Sequence, residues 1–180
     1  NVPGYATQSV AQFTLALILE LATRAARYNL AVRSDAWQKS PVFTLLDFPS
    51  IELNRKKLGV IGYGNIGRAV ADMARGFGLE VLIAARPGSG EPPPPDRLPV
   101  QELFRQADIL TLHCPLTSQT KNLINAETLS LMKPSALLVN TARGALVDET
   151  ALIHALRDRK LAAAALDVIS HEPPPAGHPI

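Results

Sequence analysis

Gly62, Gly64 and Gly67 stand in the run Lys57-Leu58-Gly59-Val60-Ile61-Gly62-Tyr63-Gly64-Asn65-Ile66-Gly67, between a short apolar stretch and a helix-forming one. Each position has its own physical reason. The first glycine permits a tight turn, the second lets the backbone approach an anion with no side chain in the way, and the third lets helix and strand pack closely. Unpaired N–H groups at the helix start, around Asn65 and Ile66, then face that anion. The combination predicts a cradle for the pyrophosphate of a dinucleotide. Glycines at this spacing also occur in ordinary turns, so the flanking elements decide. Residues 58–61 are apolar and partly β-branched, as a buried parallel strand is, and Ile66, Val70, Met73, Ala74 and Phe77 repeat at helical spacing.

The elements that must hold this turn alternate from Lys57 onward. Strands are predicted at 58–61, 80–84, 108–112, 136–140 and 161–166, and helices at 68–77, 100–106, 125–132 and 148–159. This is the pattern of a doubly wound α/β fold with a parallel sheet covered on both faces, a Rossmann-type domain. A long helix over 9–30 precedes it, with Ser9 and Gln12 at capping-box spacing. Val10, Phe13, Leu15, Leu17, Ile18, Leu19 and Leu21 cover most of its circumference, so it must be buried on more than one side, in a large core or against another subunit. An irregular stretch over 34–54 holds the single tryptophan, Trp37, and the run Pro92 to Pro95 is too proline-rich for regular structure.

In an open parallel sheet, ligands bind beyond the carboxyl ends of the strands. After the first strand comes the glycine turn, and after the second Ala85-Arg86. His113-Cys114-Pro115 follow the third, Thr141-Ala142-Arg143-Gly144 the fourth, and Asp167 and then Glu172 the fifth. Polar and charged groups therefore collect along one edge. An acidic residue after the second strand selects NAD by binding the ribose hydroxyls, whereas an arginine accommodates the 2′-phosphate of NADP. Ala85 followed by Arg86 predicts that NADP is preferred, or that both are accepted, with a merely solvent-facing Arg86 as the alternative. Taken alone, Arg143 is either a group that grips an anion or a loop residue bonding spare carbonyls, with Gly144 freeing the backbone beside it. Asp167 alone reads as a turn or cap residue and Glu172 as a solvated loop charge.

The runs LGVIGYGNIGRAVA, LHCPLT, LMKPSALLVNTARGALVDE and ALDVISHEPP resemble the nucleotide-binding domain of the D-isomer-specific 2-hydroxyacid dehydrogenases, and NVPGYATQSVAQFTLALIL resembles that domain's subunit-contacting first helix. The likeness covers the chain and is greatest to the glycerate dehydrogenase and hydroxypyruvate or glyoxylate reductase branch. It implies an oxidoreductase that moves a hydride between NAD(P)H and a small 2-keto acid to give a D-2-hydroxy acid. It implies a homodimer as well, formed through the 9–30 helix. It places Arg143 on the family's catalytic arginine, Glu172 on the glutamate that partners the catalytic histidine, and Asp167 on the residue meeting the nicotinamide carboxamide. It assigns His113, Cys114, Pro115, Thr141 and Ala142 to backbone contacts along the nicotinamide half of the cofactor.

The same likeness implies that the general-acid histidine and the substrate-binding domain are not among residues 1–180, so the chain is expected to be a cofactor domain with little turnover alone. His154, His171 and His178 do not match the histidine's position, and His178 is expected at the surface. A dinucleotide-dependent corepressor-like module is the competing reading; a formate dehydrogenase-like enzyme is disfavoured because it has glutamine where Glu172 stands. A net charge of +2 with scattered basic residues gives no nucleic-acid stripe. Glu20 and Arg24 interrupt the most apolar stretch, so no membrane span is expected. The lone Cys114 fits a reducing, cytoplasmic setting, and no metal site is expected.

Overall fold

Alternation along each strand decides which helices it meets. In the computed structural model, which describes residues 6–90 and 92–179, Leu58 and Val60 of β1 (Lys57–Ile61) pack with Ile109 of β3 (Ile109–Leu112) and with Leu137 and Val139 of β4 (Leu137–Asn140) on one face. Ile61, Leu110, Leu112 and Leu138 point to the other. Both sets are buried, as expected of parallel strands covered on both sides. The remaining strands are β2 (Glu80–Ile83) and β5 (Ala163–Leu166), and the sheet runs β2-β1-β3-β4-β5 with every pairing parallel. Of the opening segment, residues 1–5 lie outside the described residues, as do Glu91 and Ile180 at the end of the segment that holds His178.

On the first face lie α1 (Thr7–Thr23) and α3 (Asn65–Gly76); on the second lie α4 (Val100–Gln106), α5 (Ala126–Leu131) and α6 (Glu149–Arg157). Asn125 starts α5 with a full capping box, its side chain accepting from Glu127 and Thr128 N–H while Thr128 Oγ1 accepts from Asn125 N–H. Asp148 caps α6 through Ala151 N–H. At the amino edge Asp108 accepts from Lys57 N at 2.8 Å and from Lys133 Nζ at 2.8 Å. Burial pushes this carboxyl up, but the bonds from Lys133 and Lys57 outweigh it and hold it below the usual range.

The long helix expected over 9–30 is two helices. Arg24 adopts a left-handed conformation, φ 58°, ending α1, and α2 (Ala25–Arg33) leaves at 57° to it. Tertiary contacts override the helical pattern here: Tyr28 stacks edge-on against Phe48 at 5.0 Å and donates to its carbonyl, and Arg27 lies 4.3 Å over the same ring. Ser9 does not cap, because α1 begins at Thr7 with Ala6 in the capping position. Ala11, Leu15, Ile18 and Ala22 of α1 are buried in the chain's own core, while α2 buries none of its residues. Among the described residues no single helix is long and apolar enough to cross a membrane.

At the end of β3, burial pushes the His113 imidazole down to about 4, so it is neutral, and it shares a 3.0 Å hydrogen bond with the Thr111 hydroxyl. The unfolded chain takes up this proton near its ordinary value of 6.5, whereas the folded chain refuses it until about 4. Stability contributed by keeping the ring neutral is therefore complete above about 6.5 and is lost as the pH falls toward 4. Urea unfolding at pH 7 and at pH 5 should differ by about 2 kcal/mol from this residue. The difference should vanish in His113→Asn; an unchanged difference would show that the ring is not the titrating group.

Candidate active site

All five strands point the same way, so their carboxyl ends, and every candidate residue that follows them, lie along one edge. At the end of β1, Gly62 has φ 95°, a backbone that side chains rarely adopt, and a Cβ there would collide with Cys114 N and the His113 carbonyl. A Cβ on Gly67 would collide with the Gly62 oxygen, so the first turn of α3 lies against the strand's end. Gly64 differs: it occupies the capping position of α3, no side chain caps the helix there, and a Cβ would meet nothing within 4 Å. The helix N–H groups therefore start beside open space, with Asn65 exposed and Ile66 half-buried. The tight turn at Gly62, the close packing at Gly67 and the open space at Gly64 fit a dinucleotide pyrophosphate.

A cavity of about 470 Å³ opens from this turn and is lined by Gly62, Gly64, Arg86, His113, Cys114 and Pro115 among others, with no carboxylate among its described lining residues. Ala85, where an NAD-selective carboxylate would stand, is buried, and Arg86 beside it is exposed. His113, Cys114 and Pro115, which follow the central strand β3, share this cavity with Arg86. Cys114 is buried and its thiol is pushed up by burial, which leaves it an inert wall residue. Thr120 fixes the loop behind it, its hydroxyl donating to Pro115 O at 2.7 Å and accepting from Thr117 N at 2.8 Å.

A second, shallower depression of about 320 Å³ brings Arg143 and Glu172 together with Leu116, Gly144 and Ser170. Arg143 is exposed and donates from Nη1 to Ala142 O at 2.7 Å. Glu172 Oε1 accepts from Ile169 N at 3.0 Å, which fixes one oxygen. Gly144 begins a 3₁₀ turn, Gly144–Leu146, and its φ is not positive; the glycine is needed because a Cβ would collide with the backbone of Ile169 and Ser170. The expectation of a freed backbone is thus replaced by one of close approach.

A residue that motif and spacing do not single out is Asn140, fully buried at the end of β4. Its Nδ2 donates to Arg143 O at 3.0 Å, its Oδ1 accepts from Ala142 N at 3.0 Å, and its carbonyl accepts from Asp167 N at 3.0 Å. One side chain and one carbonyl thus set the loops that follow β4 and β5; the available signal was a polar residue ending an otherwise apolar strand, Leu-Leu-Val-Asn. Thr141 is buried too, and its hydroxyl shares a 3.0 Å bond with that of Thr14 on α1. Asp167 is exposed, its backbone pinned and its carboxylate without a partner among the described residues.

His178, expected at the surface, is half-buried and paired through Nε2 with Glu149 Oε2 at 3.2 Å. Glu149 also accepts from Ser170 N. Burial pushes this carboxyl up, but the Ser170 bonds and the nearby His178 outweigh it and hold it low. His154 and His171 are exposed, away from any such pair.

The model of the family described as D-isomer specific 2-hydroxyacid dehydrogenase, NAD binding domain, matches residues 15–180. A hydroxypyruvate reductase of Blautia hydrogenotrophica is 38% identical, the alignment covering 100% of this chain and 56% of that protein. A glyoxylate reductase of Thermococcus litoralis is 40% identical over 96% of this chain and 54% of its own length. Among solved structures, the TT0316 protein of Thermus thermophilus superposes with a TM-score of 0.85 at 44% identity, over 98% of this chain and 55% of that one. The chain spans about half the length of the curated relatives it matches. Glycine turn, parallel sheet, strand-end arginine and family match converge: the chain belongs to the D-isomer-specific 2-hydroxyacid dehydrogenases, in their nicotinamide-dinucleotide-binding domain.

Proposed function

We propose that in the full-length protein this domain, residues 1–180, serves the reduction of a small 2-keto acid of the hydroxypyruvate or glyoxylate class to the D-2-hydroxy acid, with NADPH preferred over NADH. The observation that carries it is the placement of Arg143 and Glu172 in one depression on the sheet edge that also bears the glycine turn. The bound nicotinamide supplies the hydride. Gly62, Gly64, Asn65, Ile66 and Gly67 hold the pyrophosphate, Arg86 the adenosine ribose, and Thr141, Ala142 and Asp167 the nicotinamide end. The planar guanidinium of Arg143 pairs with the substrate carboxylate and faces the keto oxygen, which gains negative charge as the carbonyl carbon is reduced. Glu172 holds an imidazole general acid in its protonated form, so that the oxygen receives a proton.

The proposal extends to a homodimer. α1 is largely occupied by its own core, so the contact surface is placed on α2 and the segment after it, where Leu30, Phe43 and Leu46 are 66%, 92% and 79% exposed. A cytoplasmic setting, supported by the lone, buried Cys114, belongs to the same reading, with no nucleic-acid or membrane partner.

Three outcomes test this. Arg143→Ala should lower kcat/KM for glyoxylate by about a hundredfold or more while cofactor affinity, followed by fluorescence titration, changes little; unchanged kinetics would remove Arg143 from the reaction. Glu172→Gln should move the alkaline limb of the reductive pH–rate profile to lower pH, because the imidazolium loses its anionic partner. A limb that stays in place would separate Glu172 from any proton donor. Phe43→Asp combined with Leu46→Asp should convert a dimer to a monomer in sedimentation equilibrium, and a dimer that persists would place the interface elsewhere.

A further inference from the structure

The end of β2 opens onto two adjoining cavities, about 470 Å³ at the glycine turn and about 420 Å³ under the proline-rich loop. They share Ala85, Arg86, Pro87, Arg97 and Gln119, and among the described residues no aspartate or glutamate lines either. Arg97 enters from the far side of the loop. Its place is fixed by backbone pairing: Leu98 N donates to Ile83 O at 2.9 Å, Ala85 N to Leu98 O at 2.7 Å, and Arg97 N to Pro94 O at 2.9 Å. Its half-buried guanidinium lies 5.7 Å from the centroid of the Tyr63 ring, between Gly62 and Gly64, with Arg68 5.5 Å from the same ring.

Among the described residues neither Arg86 nor Arg97 has an ion pair, although Arg75, Arg105, Lys133 and Lys160 all do. Two arginines that share a cavity with no acid among its described lining residues repel each other, and the repulsion is relieved by an anion. The pyrophosphate belongs at the start of α3, so a second anion is implied beyond the end of β2. A phosphate monoester carries close to two negative charges at neutral pH and three acceptor oxygens, which two guanidinium forks satisfy.

We infer that Arg97 is a second specificity-determining residue, forming with Arg86 a two-sided clamp for the 2′-phosphate of the adenosine ribose. This rests on the dinucleotide reading of the glycine turn but adds a residue that the turn motif and the second-strand register do not point to. Arg86 is the exposed, adaptable side; Arg97, stacked on Tyr63 and tied to β2, is the fixed one.

The test uses the full-length protein with two readouts. Calorimetric titration with 2′-AMP and with 5′-AMP needs no turnover; kcat/KM with NADPH and NADH, using glyoxylate, does. Arg97→Gln should weaken 2′-AMP relative to 5′-AMP by at least about tenfold, the loss of a charge-assisted contact, and should lower the NADPH-to-NADH efficiency ratio by a similar factor. Arg97→Lys, which keeps the charge, should restore part of both. Retained 5′-AMP binding shows that each variant is folded. Equal losses for both nucleotides would make Arg97 a prop for Tyr63 alone and overturn the clamp, as would no loss at all. Inorganic phosphate binding as tightly as 2′-AMP would overturn the ribose assignment in favour of a free-anion site. A protein that binds 2′-AMP in this way but reduces no 2-keto acid would refute the proposed reaction and leave the clamp standing.

Discussion

Backbone touches backbone where this site is made. The Gly67 α-carbon lies against the Gly62 carbonyl, Gly62 lies against the peptide joining His113 to Cys114, and Gly144 lies against Ile169 and Ser170. At each point a methyl group would be enough to force the elements apart, because a packed interior has no slack for an added carbon. These contacts draw the ends of β1 and β3, and the segments that follow β4 and β5, closer than side chains would allow. The sheet supplies direction, and the glycines supply proximity. Without the second, the parallel order of strands would give an edge with the same residues on it but no common cavity.

Proximity still leaves loops with unsatisfied polar groups, and Asn140 answers that need. It is fully buried, so its amide must find partners or cost free energy. The partners it finds are in the loop that carries Arg143, and its carbonyl holds Asp167. The loops are therefore positioned from inside the sheet, and Arg143 can stay exposed with its guanidinium committed only to its neighbour's carbonyl. Thr14 extends the arrangement by bonding Thr141 from α1, so the helix outside the sheet also bears on the loop. A rigid scaffold with an exposed reactive tip is what a substrate-gripping residue requires.

The regular part of the fold was legible because period-two and period-3.6 patterns are set by local burial. Strands β1 to β4 and helices α4 to α6 were each placed within about two residues of where they lie. The glycine turn was legible for the same reason: each glycine answers to a local steric demand. The break at Arg24 was not, since it depends on Tyr28 and Arg27 meeting Phe48 some twenty residues away, a contact that no helical pattern encodes. Asn140 and the His178–Glu149 pair were missed on similar grounds. A polar residue earns meaning from partners distant in sequence, and neither the type nor the spacing of these residues names those partners.

The charges divide the edge into two chemically different ends. Around Arg143 the depression also holds Glu172, so that end carries both signs, as the proposed reaction, which needs an anionic group gripped and a proton given, requires. Around Arg86 and Arg97 the charged side chains among the described lining residues are cations, and His113 is neutral because burial forbids its proton. If His113 were protonated, a third positive charge would sit in that cavity and its field would vary with pH through the physiological range. Keeping it neutral leaves the two arginines as the charged side chains among that cavity's described lining residues, in contrast to the mixed charge around Arg143. One edge of a single sheet thus carries a cationic end and an end with both signs, the division on which the proposed cofactor and proton-transfer roles rest.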